Sequence, residues 1–329
     1  MLRRPQVRES QLQTALAALG REGRRVKPPL EPAKTRSETP ADIGQVLQQS
    51  HLPVLDGFRA LSAIVVVADH AEFVPTLGSW KMHWGGMGVT MFFVLSGFLI
   101  TWLLLREHSV SGRIALRDFY VRRMLRIWPA YYAYIVVAFL LRHYLNPQEA
   151  WRPLGPPLLT SLTLTYNYFK AFGGMTHLAI DQLWTVSVEE QFYFVWPAVL
   201  ILLLRRGRER AVLAVSSAIV LVLVWRCVLY LGFGVSWRYI YTAFDTRADA
   251  LAMGCLLALL SASPAFLRLA RTMIRTPLMP LLPLGILVVN ESIPGSYHWT
   301  MGPTVEAACT LVLIVQLLQL YPSRRWSWL

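Results

Sequence analysis

The sequence has few charged residues and few cysteines. Only 16% of its 329 residues are charged, whereas 55% are hydrophobic, a balance that excludes a disordered chain and is unlike a water-soluble domain. The three cysteines, Cys227, Cys255 and Cys309, all lie in apolar stretches. They are too few to stabilise a disulfide scaffold and are interpreted as small packing residues.

The basic residues lie mostly between long apolar segments. A net charge of +13 could indicate a nucleic-acid-binding protein, but this spacing favours a membrane and excludes nucleic acid as a partner. Eight segments are long and apolar enough to be candidate crossings. They comprise residues 54–74, 89–105, 127–141, 191–204, 211–231, 248–260, 277–289 and 302–320. The sequence therefore predicts an all-α, polytopic membrane bundle of about eight to ten transmembrane helices.

The distribution of Lys and Arg predicts the topology. With residues 1–50 in the cytoplasm, the eight crossings put 24 of the 32 Lys and Arg residues inside and five outside, as the positive-inside rule requires. The polar segment 156–168 would invert every later loop if it crossed. We therefore expect a re-entrant or internally packed segment near residues 156–170.

The first fifty residues differ from the rest of the chain. They contain nine basic and five acidic side chains and no sustained apolar face, which predicts a disordered, basic cytosolic tail over residues 1–50. No signal-peptide pattern precedes the first apolar segment, so that segment is expected to be an uncleaved anchor. Residues 51–329 form the predicted membrane domain.

The first apolar segment contains five ionisable residues, although a charge is costly there, and the spacing of two of them is informative. Arg59 and His70 are eleven positions apart, which on a helix returns to within about 20° of the same face after a rise of roughly 16 Å. Both could face one groove, with His70 as a general base. The alternative is an arginine that reaches the lipid headgroups and a histidine that is hydrogen-bonded in the bundle.

Two adjacent carboxylates, Glu189 and Glu190, directly precede the fourth apolar segment and lie among several Trp and Tyr residues. A carboxylate at this position could orient a neighbouring histidine. The alternative is a pair of helix N-terminal charges with Ser187 as the capping residue.

Arg122, Arg123 and Arg126 stand at positions i, i+1 and i+4 of a cytosolic loop, which gathers them on one side of a helix. Anchoring to anionic lipid explains most such clusters. A phosphate-binding site is the alternative, because the guanidinium fork matches phosphate oxygens.

Three other features have structural interpretations. Arg247 and Asp249 are expected to form a local ion pair, and Arg226 to pair with a carboxylate of the bundle that the sequence does not identify. Ser96 is expected to bond back to the preceding helical turn. Gly254 would allow a close helix contact.

Five motifs occur in order between residues 55 and 260. They are L-D-G-F-R-A-L at 55–61 followed by His70, G-V at 88–89 with F-F-V-L-S-G-F-L-I at 92–100, F-Y-V-R-R at 119–123 with R-I-W-P and Y-Y at 126–132, W-T-V-S-V-E-E-Q-F-Y through W-P at 184–197, and T-R-A-D-A-L with Gly254. Together they resemble the membrane acyltransferase family 3, with Thr185 where the family usually has Ser.

The resemblance implies an integral protein of the cell (inner) membrane that transfers an acyl group, commonly acetyl, from cytosolic acetyl-CoA or another acyl-CoA. The acceptor would be a hydroxyl of a carbohydrate or glycoside, and no metal is expected. In this interpretation Arg122, Arg123 and Arg126 hold the nucleotide phosphates and His70 removes the hydroxyl proton. Glu189 or Asp69 orients the imidazole, and Arg59 completes the predicted catalytic set.

Other functions stay open. Family members continue with a further helix, so a chain ending at Leu329 is expected to be truncated. A transporter or flippase would also use intramembrane Arg, His and Glu residues, and an inactive family member is a third possibility. The sequence does not identify the acceptor.

Overall fold

The computed structural model describes residues 46–48, 52–71, 84–145, 155–175, 180–274 and 278–320. The chain divides into two units, Met1–Ser37 and Glu38–Leu329, and all described residues belong to the second. The predicted tail at 1–50 lies outside the described residues apart from 46–48, and so do the last nine residues.

The described part of the chain is all-α, as predicted. Its helices are α1 (Pro53–His70), α2 (Trp84–Ser111), α3 (Leu116–Leu145), α4 (Gly155–Leu162), α5 (Tyr166–Ala171), α6 (Leu183–Arg205), α7 (Arg208–Cys227, continued by a π-helical turn at Val228–Gly232), α8 (Trp237–Thr242), α9 (Phe244–Leu260), α10 (Pro264–Thr272), α11 (Leu281–Glu291), α12 (Ser296–Thr300) and α13 (Gly302–Leu320).

Five of these helices are long and apolar enough to cross a membrane by themselves: α2, α3, α6, α7 and α13. A sixth span results if α8 and α9 are counted together with α10, which bends away by 108°. The remaining predicted crossings are helical but shorter or more polar. Helix α1 carries Asp56, Arg59 and Asp69 among 18 residues, α9 has 17 residues, and α11 has eleven.

Helix α2 is the centre of the bundle, and most of its residues are buried. Its closest neighbour is α9, where two glycines allow the backbones to touch. A Cβ atom on Gly97 would lie 2.0 Å from the Leu251 carbonyl oxygen, and one on Gly254 would lie 2.0 Å from the Val94 carbonyl oxygen. The close contact predicted at Gly254 is therefore present.

The segment predicted near 156–170 folds as the short helices α4 and α5. The Tyr131 and Tyr132 hydroxyls of α3 donate to the carbonyl oxygens of Ser161 and Leu162 at 2.8 and 3.2 Å. These bonds satisfy carbonyl groups at the end of α4, which a lipid environment could not do. The segment thus packs on the bundle without a helix long enough to cross.

The predicted local pairing of Arg247 with Asp249 is wrong. Asp249 forms a buried salt bridge with Arg226 of α7, which identifies the partner that the sequence left open. The Thr304 hydroxyl donates to the same carboxylate at 2.6 Å, and Arg226 Nη1 donates to the Thr300 carbonyl oxygen at 3.1 Å. Arg247 points to a different site, because residues two apart on a helix lie on different faces.

The three cysteines are free thiols. Cys255 and Cys309 are buried and Cys227 is half-buried, in agreement with their interpretation as packing residues.

Candidate active site

A large cavity lies at the end of the bundle where α1 ends and α2 begins. Its volume of about 730 Å³ is within the range of roughly 300–1,000 Å³ that small-molecule sites occupy. It is lined by the end of α1 and by the first turns of α2, α6, α9 and α13. Its charged and titratable lining residues are Asp69, His70, Lys170, Asp181, Glu189, Arg238, Tyr241, Arg247, Glu291, His298 and Glu306.

His70 is the last residue of α1 and is exposed to this cavity. Its Nδ1 lies 2.8 Å from the Val66 carbonyl oxygen, one helical turn earlier. A carbonyl oxygen can only accept, so this bond requires the proton on Nδ1 and leaves the Nε2 lone pair available. In a neutral imidazole, Nε2 is therefore the nitrogen that could accept a proton, and the role of His70 as a base stays a prediction.

Glu189 also lines the cavity, from the second turn of α6. Its Oε1 accepts a hydrogen bond from the Ser96 hydroxyl at 2.8 Å, and its Oε2 accepts one from the Tyr193 hydroxyl at 3.2 Å. Asp69 lies beside His70 in the lining. The structure thus brings His70, Glu189 and Asp69 to one cavity, and the orientation of the imidazole by a carboxylate stays a prediction.

The alternative interpretation of Ser187 and the prediction for Ser96 are both wrong. Helix α6 begins at Leu183, so Ser187 lies inside it and its hydroxyl donates to the Leu183 carbonyl oxygen at 3.0 Å. Ser187 therefore does not cap the helix. Ser96 does not bond back to its own helix but across to Glu189, because a carboxylate is a stronger acceptor than a carbonyl group that already accepts a helical hydrogen bond.

The larger cavity also contains a network of polar side chains that was not predicted from the sequence. Arg247 Nη2 donates to the Thr90 hydroxyl at 2.8 Å, and that hydroxyl donates to Glu306 Oε2 at 2.7 Å. Asn290 Nδ2 donates to Glu306 Oε1 at 3.4 Å. Glu306 lies in an apolar segment, the same signal that identified Arg59 and His70, so the sequence did contain a clue to it.

The rim of the cavity is fixed by α5. The Lys170 ammonium lies 3.0 Å from Asp181 Oδ2, and the Tyr166 hydroxyl donates to Asp181 Oδ1 at 3.0 Å. Burial and the adjacent Asp181 carboxylate raise the pKa of the Tyr166 hydroxyl. It therefore stays a hydrogen-bond donor at any physiological pH.

A second cavity of about 660 Å³ lies towards the other end of α2. Arg122, Arg123 and Arg126 line it together with Arg106 and Glu107. The predicted gathering of the three arginines on one helix side is therefore confirmed. Arg122 Nη2 lies 3.6 Å from Glu107 Oε2, which leaves a site with four guanidinium groups and one carboxylate.

The two cavities come close together at a partition formed by Ser96, Arg123, Glu189 and Tyr193. Arg123 of the smaller cavity lies with its guanidinium carbon 4.0 Å from the centre of the Tyr193 ring, and Tyr193 bonds to Glu189 of the larger cavity. Along α2, the last residue of the larger cavity is Phe93 and the first of the smaller one is Ile100. This is a separation of about 10 Å.

Arg59 is half-buried on α1, and neither cavity includes it in its lining. The structure thus does not bring Arg59 to the site of His70, and its catalytic role stays a prediction. Within the described part of the chain, no three His, Cys, Asp or Glu side chains are grouped as metal ligands.

Comparison with known proteins extends the resemblance seen in the motifs. A family model described as an acyltransferase domain matches residues 52–329. Peptidoglycan O-acetyltransferase OatA of Listeria monocytogenes is 34% identical over 219 residues, which cover 64% of this chain and 34% of that protein. "Putative peptidoglycan O-acetyltransferase YrhL" of Bacillus subtilis is 33% identical over 220 residues, 64% of this chain and 33% of that protein.

The chain thus spans about a third of the length of these relatives. No solved structure matches it. The family model covers most of the chain, from before α1 to beyond α13, and so includes both cavities. The chain therefore belongs to the family of membrane acyltransferases that its motifs resemble, acyltransferase family 3.

Proposed function

We propose that this protein is an O-acyltransferase of the cell membrane that transfers an acyl group, commonly acetyl, from cytosolic acyl-CoA to a carbohydrate hydroxyl. The observation that carries the proposal is the pair of cavities separated by the partition. One cavity is suited to a polyanion and the other to a polar, uncharged acceptor. The relatives named as peptidoglycan O-acetyltransferases support a carbohydrate as the acceptor class.

In this proposal the donor binds in the smaller cavity. Arg122, Arg123 and Arg126 there form charge-assisted hydrogen bonds to the nucleotide phosphates. We assign this end and the N-terminus to the cytoplasm, which the positive-inside distribution supports. The acyl arm extends past Tyr193 towards the larger cavity, so the thioester reaches the neighbourhood of Glu189.

The acceptor binds in the larger cavity, with one hydroxyl near His70. Nε2 takes the hydroxyl proton as the oxygen attacks the thioester carbonyl carbon. The carbon–sulfur bond then breaks, and the CoA sulfur leaves with a proton returned by the imidazolium. A new ester and free CoA are formed, and no acyl-enzyme is needed. The bond from Nδ1 to the Val66 carbonyl oxygen keeps Nε2 as the acting nitrogen.

The test uses the full chain in nanodiscs, radiolabelled acetyl-CoA and peptidoglycan as acceptor. We expect His70→Ala to lower transfer by roughly 10²–10⁴-fold, the usual contribution of general base catalysis, while acetyl-CoA still binds. The matched control is His143→Ala, since His143 is an exposed histidine in the last turn of α3. Full activity in His70→Ala would contradict the assignment of the base. Movement of unmodified solute without transfer would favour a transporter.

A further inference from the structure

One side of the larger cavity is a continuous row of aromatic rings. It consists of Trp184, Trp237, Tyr241 and Trp299, which we call the aromatic wall. The ring centres of Trp237 and Trp299 are 5.3 Å apart, those of Trp299 and Tyr241 6.4 Å, and those of Tyr241 and Trp184 5.0 Å. All four rings line the cavity, and Trp237 is 45% exposed. Aromatic rings exposed in a cavity offer flat apolar faces to a ligand.

The wall is held in place by cations. The Arg238 guanidinium carbon lies 4.9 Å from the Trp237 ring centre, and the Arg247 guanidinium carbon lies 5.5 Å from the Tyr241 ring centre. Such contacts restrict ring rotation. The wall therefore has a defined orientation before any ligand binds.

Next to the wall lies a polar floor formed by Arg247, Glu291 and Glu306. Arg247 is 2% exposed and Glu291 9% exposed. Arg247 Nε and Glu291 Oε2 have no hydrogen-bond partner among the described residues, although both residues line the cavity. A buried donor and a buried acceptor without partners are costly unless a ligand or water completes them.

The polar floor and the aromatic wall are together complementary to a ligand that has two properties. It must have an apolar face that stacks on indole rings, and at its edge both hydrogen-bond acceptors for Arg247 Nε and donors for Glu291 Oε2. A pyranose ring has both, because its C–H bonds form flat apolar faces while its hydroxyl groups donate and accept at the rim. A lipid chain lacks both the donors and the acceptors, and an ionised phosphate group lacks the donors.

We infer that the aromatic wall and the polar floor form the acceptor subsite, in which a pyranose stacks on Trp237 and Trp299 and its hydroxyls bond to Arg247 and Glu291. The inference rests on the proposed function, because a bound sugar is an acceptor only if the protein transfers an acyl group to it. The binding of sugar itself does not depend on catalysis. His70 stands in the same cavity, where it can reach another hydroxyl of the bound sugar.

The test measures sugar binding by saturation-transfer difference NMR on the full chain in nanodiscs, with cellobiose and chitobiose as probes. We expect at least one disaccharide to bind, and Trp299→Ala and Glu291→Gln each to weaken binding by roughly ten- to a hundredfold. The first variant removes a stacking face, and the second removes a carboxyl oxygen that has no partner in the described part of the free protein. Phe233→Ala is the matched control, because Phe233 is an exposed aromatic residue outside the cavity lining.

Glu291→Gln keeps the shape of the side chain, and the unfolding temperature of each variant distinguishes a loss of binding from a loss of folding. Binding of neither disaccharide, or equal binding in both variants and the control, would overturn the inference. The proposed function fails separately: sugar binding without acetyl transfer would contradict it and leave the subsite standing. Acetyl transfer with an unchanged acceptor KM in Trp299→Ala would do the reverse.

Discussion

Replacing Gly254 by Ala should destabilise the protein, although the change adds only one methyl group and Ala favours the helix. The new Cβ would lie 2.0 Å from the Val94 carbonyl oxygen and 2.4 Å from the Phe98 nitrogen. Both atoms belong to the backbone of α2, so no side chain can rotate out of the way. The reciprocal change Gly97→Ala meets the Leu251 carbonyl oxygen at the same distance.

The geometry gives the size of the effect. Ordinary contact begins at 3.4 Å, so α2 and α9 must separate by about 1.4 Å. Overpacking of this kind costs about 1–3 kcal/mol, and the better helix propensity of Ala offsets up to about 1 kcal/mol of it. Because the obstructing atoms are backbone, we take the upper end of this range. The net loss is then roughly 2 kcal/mol, which is a decrease of roughly 4–8 °C in the unfolding temperature.

The same displacement should affect the candidate site. Arg247 of α9 bonds to the Thr90 hydroxyl of α2 at 2.8 Å, and a further 1.4 Å takes this pair beyond hydrogen-bond range. Transfer activity should therefore fall at temperatures where the variant is still folded. Because Gly97 and Gly254 face each other, the double variant should lose less stability than the two single losses added together.

The assay is thermal unfolding of purified protein, followed by intrinsic fluorescence. Gly285→Ala is the matched control, since Gly285 lies in helix α11 and a Cβ there meets nothing within 4 Å. This control should unfold at an equal or higher temperature than the parent. If Gly254→Ala and Gly285→Ala unfold at the same temperature, the close approach of α2 and α9 is wrong.

Two further predictions concern charged residues. Arg123→Ala should raise the KM for acetyl-CoA by roughly tenfold or more, the loss of one hydrogen bond between charged groups, whereas Arg117→Ala, an exposed arginine of the same helix, should not. An unchanged KM with weaker association to anionic lipid would favour the anchoring interpretation. Asp249→Ala should cost about 3–5 kcal/mol, because it leaves the buried Arg226 without its carboxylate; size-exclusion chromatography should show a smaller folded fraction. The double variant Arg226→Met with Asp249→Leu should recover most of it, and no recovery would contradict this reasoning.

The helices were predictable because their signal is local. A long apolar run between basic loops identifies a helix without any knowledge of its neighbours, and every predicted segment is helical in the described residues. The number of full crossings was less predictable. The charged residues of α1 and the bend after α9 depend on what the bundle packs around them.

The pairing of polar side chains could not be predicted, since it depends on helices that are distant in sequence. Asp249 has Arg247 two residues away, yet it bonds to Arg226 on another helix. Ser96 had a standard partner in its own helix, but its hydroxyl bonds to Glu189, 93 residues later. Sequence spacing predicts the hydrogen-bond partners that a side chain finds within its own helix. In a packed bundle, side chains of other helices can form stronger hydrogen bonds and replace those partners.

The contrast in charge between the two cavities gives the proposed reaction a direction. The smaller cavity has four arginines and one glutamate, whereas the larger one has five carboxylates, two arginines and one lysine. A polyanionic CoA would therefore be attracted more strongly to the first than to the second. Only its uncharged acyl arm could pass Tyr193 without an electrostatic penalty. The partition would thus let the thioester meet the acceptor while the nucleotide stays on the opposite side, which is what transfer from one face of a membrane to the other requires.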